Sequence, residues 1–91
     1  MAAEPASEKA SLTVSPNPTA GQITIRLYLP EPAPATLTLT DLAGRQLRQW
    51  PLPAPRTRHE HTTDLRGLPA GTYLIVAEAA GQRVVSKLLI E

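Results

Sequence analysis

The chain has no cysteine and no phenylalanine, one tryptophan, Trp50, and two tyrosines, Tyr28 and Tyr73. Without cysteine there is no disulfide framework, no thiolate metal site and no thiol nucleophile. Without phenylalanine the core has to be aliphatic, built from Leu, Ile and Val. Nine basic residues against eight acidic ones leave a net charge of +1, and the basic residues are scattered, which is not the electrostatic footprint of a nucleic-acid or anionic-lipid binder. No apolar run approaches the ~18 residues of a membrane-spanning helix. Residues 1–9 lack the basic start and apolar stretch of a secretory signal. Glycine spacings for phosphate or dinucleotide loops are missing, as is Gly-x-Ser-x-Gly. Ser86 falls inside a predicted strand, and Ser7 and Ser11 fall in a predicted linker. Neither an enzyme nor a cofactor is expected.

What the chain does have is proline, ten in 91 residues, enough length for one domain with one core. The small, polar, Ala/Ser/Glu-rich residues 1–11 read as a flexible linker left from something longer, with Met1 an expression start, and residues 12–91 as the domain. Ser15-Pro16-Asn17-Pro18-Thr19-Ala20-Gly21 is a rigid corner. Two prolines fix φ and donate no hydrogen bond, Asn17 is pushed extended by the proline after it, Asn17 and Thr19 can hydrogen-bond nearby backbone, and Gly21 is free to take positive φ. Neither a helix nor a central strand runs through it.

Period-two alternation then dominates. Leu12 to Ser15 is a short strand. Ile23, Ile25, Leu27 and Leu29 face one way and Thr24, Arg26 and Tyr28 the other. Pro30 to Pro34 breaks the chain, and Thr36, Thr38 and Thr40 then alternate with Leu37, Leu39 and Leu42. Asp41-Leu42-Ala43-Gly44 is a tight turn, with Asp41 accepting backbone hydrogen bonds and Gly44 at the left-handed position. The returning strand, Arg45 to Trp50, has Leu47 and Trp50 inward. Pro51 to Pro55 repeats the Pro-x-Pro-x-Pro pattern, a loop or edge strand rather than a ligand for proline-recognising domains. Thr57 to Asp64 reads as an exposed strand, and Leu65 to Gly71 as a loop anchored by Leu65 and Leu68. Thr72 to Ala77, apolar on both faces, is a central strand. A turn at Gly81-Gln82 leads into the last strand, Arg83 to Ile90. Seven short strands with an aliphatic core predict an all-β, immunoglobulin-like antiparallel β-sandwich.

His59 and His61, two apart on a predicted strand, share a face, with Glu60 opposite and Asp64 nearby. They are half of a zinc site at most, because no third ligand stands at motif spacing, and the expectation is solvated strand residues.

Three stretches in fixed order, Pro16-Asn17-Pro18 with Gly21, Asp41-Leu42-Ala43-Gly44-Arg45, and Leu68-Pro69-Ala70-Gly71-Thr72-Tyr73, followed by Gly81 and Ser86-Lys87-Leu88, resemble the type A C-terminal sorting domain of the type IX secretion system of Bacteroidota. The resemblance spans residues 12–91. It implies an address: an immunoglobulin-like domain at the end of a secreted protein, recognised by the outer-membrane type IX translocon. It also implies removal at the cell surface by a sortase-like cysteine protease, in the residues before Leu12. The cargo would cross the inner membrane on its own signal and end secreted or on the surface, joined to an anionic lipopolysaccharide. Carried over residue by residue, Gly21, Gly44 and Gly71 serve backbone geometry, and Leu68 and Tyr73 serve packing. Pro16, Asn17, Pro18 and Asp41 complete the motifs, while Arg45 and Lys87 are the candidates for partner contact. Two features depart from the pattern: the chain ends Leu88-Leu89-Ile90-Glu91 rather than in a lysine-rich strand, and it carries seven arginines to two lysines. The last strand could offer its edge to the translocon or to a second copy. The competing reading is an adhesion or carbohydrate-binding module, which would need an exposed aromatic platform; Trp50 and Tyr28 lie on different predicted strands. A bare spacer is the third reading.

Overall fold

Strict alternation of Ile, Leu and Val with Thr and Arg leaves each strand with one face that must be covered, and the covering comes from folding the sheet onto itself. The computed structural model describes residues 9–91 and contains no helix among them. Of the linker expected over residues 1–11, residues 1–8 lie outside the described residues, and Ser11 opens the first strand. Five strands follow in order: β1 (Ser11–Ser15), β2 (Gln22–Asp41), β3 (Gln46–Asp64), β4 (Gly71–Ala79) and β5 (Gln82–Ile90). All pairings between them are antiparallel, in the order β1, β2, β4, β5, with β3 added on β2.

Five strands replace the seven expected, and the reason is the behaviour of the two proline runs. Pro30 to Pro34 bends β2 instead of ending it, and Pro51 to Pro55 does the same to β3. The ladder between them is interrupted at the shared corner, where the pairing steps from Tyr28↔Arg58 to Ala33↔Arg56 and then to Ala35↔Leu52. Each half of these long strands therefore joins a different layer. One layer holds β1, the first half of β2 and the second half of β3. The other holds the first half of β3, the second half of β2, then β4 and β5. The three-plus-four arrangement is the expected sandwich, with β2 and β3 each running through a corner from one layer to the other.

Between the layers lie Ile23, Ile25, Leu27, Leu29, Leu37, Leu39, Tyr73, Ile75, Leu88 and Ile90, all buried. Burying each large aliphatic contributes about 1.5–3 kcal/mol. Leu65 is an anchor as expected, fully buried, and Leu68 packs half-buried against the same core. Leu42 is not part of the alternation; it stands on the turn, 66% exposed.

Thr57 to Asp64 is likewise not an exposed strand. Its alternate residues face the core, because Leu27 pairs with His59 and Ile25 with His61, and directly opposed residues share a face. His59 and His61 do share that face, but it is the inner one. His59 is buried and donates from Nε2 to the Ala33 carbonyl at 2.8 Å, which fixes its tautomer and ties β3 to the bend of β2. His61 is half-buried and lies against Trp50, ring centroids 5.2 Å apart and tilted by 41°, with its Nε2 buried and unpartnered. Trp50 sits on one layer and His61 on the other, so this pair closes the side of the sandwich where β3 edges both layers. Among the described residues no group of three or more His, Cys, Asp or Glu could hold a metal ion.

Candidate functional site

The corner after β1 moves the chain from one layer to the other. β1 pairs with β2 through Ser15, and the Pro16-Asn17-Pro18 segment, with cis peptide bonds before both prolines, then turns it alongside β5. There the Asn17 side chain acts as a substitute peptide. Its Nδ2 donates to the Lys87 carbonyl at 2.8 Å, and its Oδ1 accepts from the Leu89 N–H at 3.0 Å. Thr19 continues the pairing with its own backbone: its N–H donates to Leu89 O at 2.9 Å, and its carbonyl accepts from Glu91 N at 2.8 Å. The first and last matched motifs are thus one hydrogen-bonded unit. Only an amide carries both donor and acceptor at this reach, which explains asparagine here.

Thr19 bonds the nearby backbone, as its place in the corner leads one to expect. It is 2% exposed, donates from Oγ1 to Gln22 O at 2.7 Å and accepts from the Gly21 N–H at 3.0 Å. Gly21 has φ 150°, and a Cβ on it would lie 2.4 Å from Cγ of Arg66. Its carbonyl also accepts from Leu65 N at 2.8 Å, which fastens the β3–β4 loop to the corner. The same loop is braced by a pair that sequence reading missed. Asp64 accepts from Arg66 Nε at 2.8 Å and from Arg66 N at 2.9 Å, and the side-chain bond foremost, with the backbone bond beside it, lowers the carboxylate's pKa. An Asp two residues before Arg is the signal an Asx turn would have given.

The Asp41 turn follows the expected chemistry. Its Oδ1 accepts from the N–H of Ala43 at 3.0 Å and of Arg45 at 2.9 Å, and its Oδ2 accepts from Arg45 Nε at 3.0 Å. The Arg45 backbone hydrogen bond, foremost, holds the Asp41 carboxyl below its ordinary value, with the Arg45 side chain adding to it. Gly44 supplies φ 89° with open space around it. Arg45 is 77% exposed beyond this ion pair. At the third motif, Tyr73 is buried and its hydroxyl donates to the Pro69 carbonyl, Leu68 N donates to Leu65 O at 3.1 Å, and Gly71 takes φ 152°.

These pieces gather at one pole of the sandwich. Asp41 pairs with Tyr73, Tyr73 with Leu88, and Gly71 with Ile90, while Asn17 and Thr19 flank Lys87 to Glu91. Thr40, Leu74 and Lys87 lie in one row across the layer, with Gln46 at its far edge. The row spans three strand spacings, so Arg45 and Lys87 lie on the order of 14 Å apart at the same end. The chain enters at the other pole, where the Ala10 N–H donates to Oε1 of Gln82 at 3.2 Å, beside the β4–β5 turn.

The family model described as a secretion system C-terminal sorting domain matches residues 13–91. The chain belongs to that family. It is a sorting signal for type IX secretion, marking proteins exported across the outer membrane to the surface or the medium, as the motifs had implied. No curated protein matches the chain. The family is one of addresses rather than catalysts. The alternative of a carbohydrate platform loses its aromatics in the fold. Trp50 is turned inward against His61, and Tyr28, 40% exposed, stands on the outer face of the other layer. No helix among the described residues of the sorting domain is long and apolar enough to cross a membrane.

Proposed function

We propose that the outer-membrane type IX translocon reads the sorting domain at the pole where its motifs converge, with Arg45 and Lys87 as contact residues. The convergence carries this reading: four stretches far apart in sequence are bonded into one end of the fold, the end away from where the preceding chain enters. A cargo joined at the N-terminus leaves that pole unobstructed. Most motif residues build the surface, since Asn17, Thr19, Asp41 and Tyr73 all spend their polar groups inside the domain. Arg45 and Lys87 remain exposed, and Lys87 takes part in no ion pair among the described residues. A sortase-like cysteine protease then cuts ahead of β1, in the residues that precede Ser11.

The test is export of a reporter carrying Arg45→Ala and Lys87→Ala together, alongside the unaltered domain. Loss of export, with the purified variant keeping its unfolding midpoint, supports the assignment. Normal export by the folded double variant removes these two residues from the contact.

A further inference from the structure

Edges decide what a β-sandwich can pair with, and the edges of the four-stranded layer are treated very differently. On β3 the residues Pro51, Pro53 and Pro55 alternate, and Pro51 lies opposite Thr36 in the ladder. A proline within a paired stretch turns its nitrogen outward, so from Pro51 onward this edge lacks the donors that a further strand needs. On β5 the outward groups belong to odd residues, as the bonds from Lys87 O and from Leu89 N and O show. Asn17 and Thr19 occupy them from Lys87 O onward. No described residue bonds the outward N–H and C=O of Arg83 and Val85, or the N–H of Lys87. This stretch keeps a full donor and acceptor pattern.

The side chains beside it are specific too. Arg83, Val85, Lys87 and Leu89 share the outer face and are exposed, Val85 at 47% and Leu89 at 41%. Neither Arg83 nor Lys87 is in an ion pair among the described residues. The face therefore alternates cation and aliphatic. A second copy of the chain fits poorly, because two-fold antiparallel pairing centred on Val85 sets Arg83 against Lys87 of the second copy, and like charges directly opposed are destabilising.

We infer that the β5 edge from Arg83 to Lys87 is a docking strand for an extended segment with carboxylates alternating with aliphatic residues, added as a further strand to the four-stranded layer. Main-chain pairing supplies affinity, and the cross-strand ion pairs set register and choose the partner. The inference rests on the sorting reading for its biological partner, a strand of the secretion machinery, but not for the binding itself.

Binding is measured by amide NMR on the isolated domain, with a short synthetic peptide alternating glutamate and valine and a second peptide alternating lysine and valine. The glutamate peptide should shift and protect the amides of Val85 and Lys87; the lysine peptide should leave them unchanged. Val85→Pro deletes one outward N–H, which an edge tolerates, and should abolish binding. Should that variant unfold, Arg83→Glu with Lys87→Glu decides, weakening the glutamate peptide at least about tenfold and admitting the lysine peptide as two cross-strand pairs reverse sign. Equal binding of both peptides, binding elsewhere on the domain, self-association through β5 or no binding overturns the inference. The same variants on an exported reporter separate the two claims. Export of the unaltered domain and of the folded Val85→Pro variant leaves the sorting reading intact and removes the β5 edge from the contact with the secretion machinery. Peptide binding without export of the unaltered domain does the reverse.

Discussion

Replacing Asn17 by Ala removes the one side chain that ties the entry corner to the last strand. Two hydrogen bonds are lost, from Nδ2 to Lys87 O at 2.8 Å and from Leu89 N to Oδ1 at 3.0 Å. Each is worth about 0.5–1.5 kcal/mol net, and the site is open enough for water to replace part of the loss, so the expected cost is about 1–2 kcal/mol. For a domain of this size that lowers Tm by about 5–15 °C. Urea unfolding followed by Trp50 fluorescence gives the free energy, and amide exchange gives the location. Leu89 N–H should exchange faster in the variant, while the amides of Leu88 and Ile90, which face β4, keep their protection relative to global unfolding. Asn17→Asp should fall in between in bonding, keeping the acceptor for Leu89 but setting a carboxylate against the Lys87 carbonyl. A change below about 0.3 kcal/mol in Asn17→Ala, or unaltered exchange at Leu89, would refute the claim that this amide joins the two motifs.

Gly21→Ala should cost more than Gly44→Ala by unfolding free energy. Both positions need positive φ, a strain of about 1 kcal/mol or more, but only at Gly21 does the new Cβ meet another residue, 2.4 Å from Arg66 Cγ; equal costs would contradict this. Asp41 contributes pH-dependent stability, because the Arg45 bonds hold its folded pKa below its ordinary value. That contribution is fully present above about pH 4 and is lost as pH falls through the lowered value, so Asp41→Asn should flatten the acid limb of a Tm-against-pH curve. An acid limb unchanged in Asp41→Asn would show that the turn's carboxylate adds nothing. His61→Phe should be neutral or stabilising by up to about 1 kcal/mol, since it replaces a buried Nε2 without a partner while keeping an aromatic face against Trp50; clear destabilisation would mean that the nitrogen has a partner.

The alternation in Ile23 to Leu29 and in Thr36 to Thr40 made the sandwich legible, because a period of two leaves only one face to bury. Asp41 and Gly44 likewise announced their turn, since each has a residue-specific reason to be there. The proline runs misled in strand count because Pro-x-Pro-x-Pro reads as a break, yet here the chain stays extended through both runs and the ladder resumes beyond the shared corner. His59 was misplaced for a related reason. In a strand of Thr, Arg, His and Glu no apolar residue marks the inner face, and only the pairing of His59 with Leu27 reveals it. Of the site, the motif residues could be named from their order, but their meeting at one pole depends on pairings such as Asp41 with Tyr73 that no local pattern encodes. The local bonds of the Thr19 hydroxyl were legible in the corner, but its backbone pairing with a strand about seventy residues away leaves no local pattern.

Localisation of a reporter tests the central claim most directly. A periplasmic enzyme carrying residues 12–91 at its C-terminus is expressed in a type IX-competent host and in the same strain without its translocon. The account predicts activity outside the cell only in the competent strain. Retention in the periplasm of both strains, with the domain folded, would contradict it.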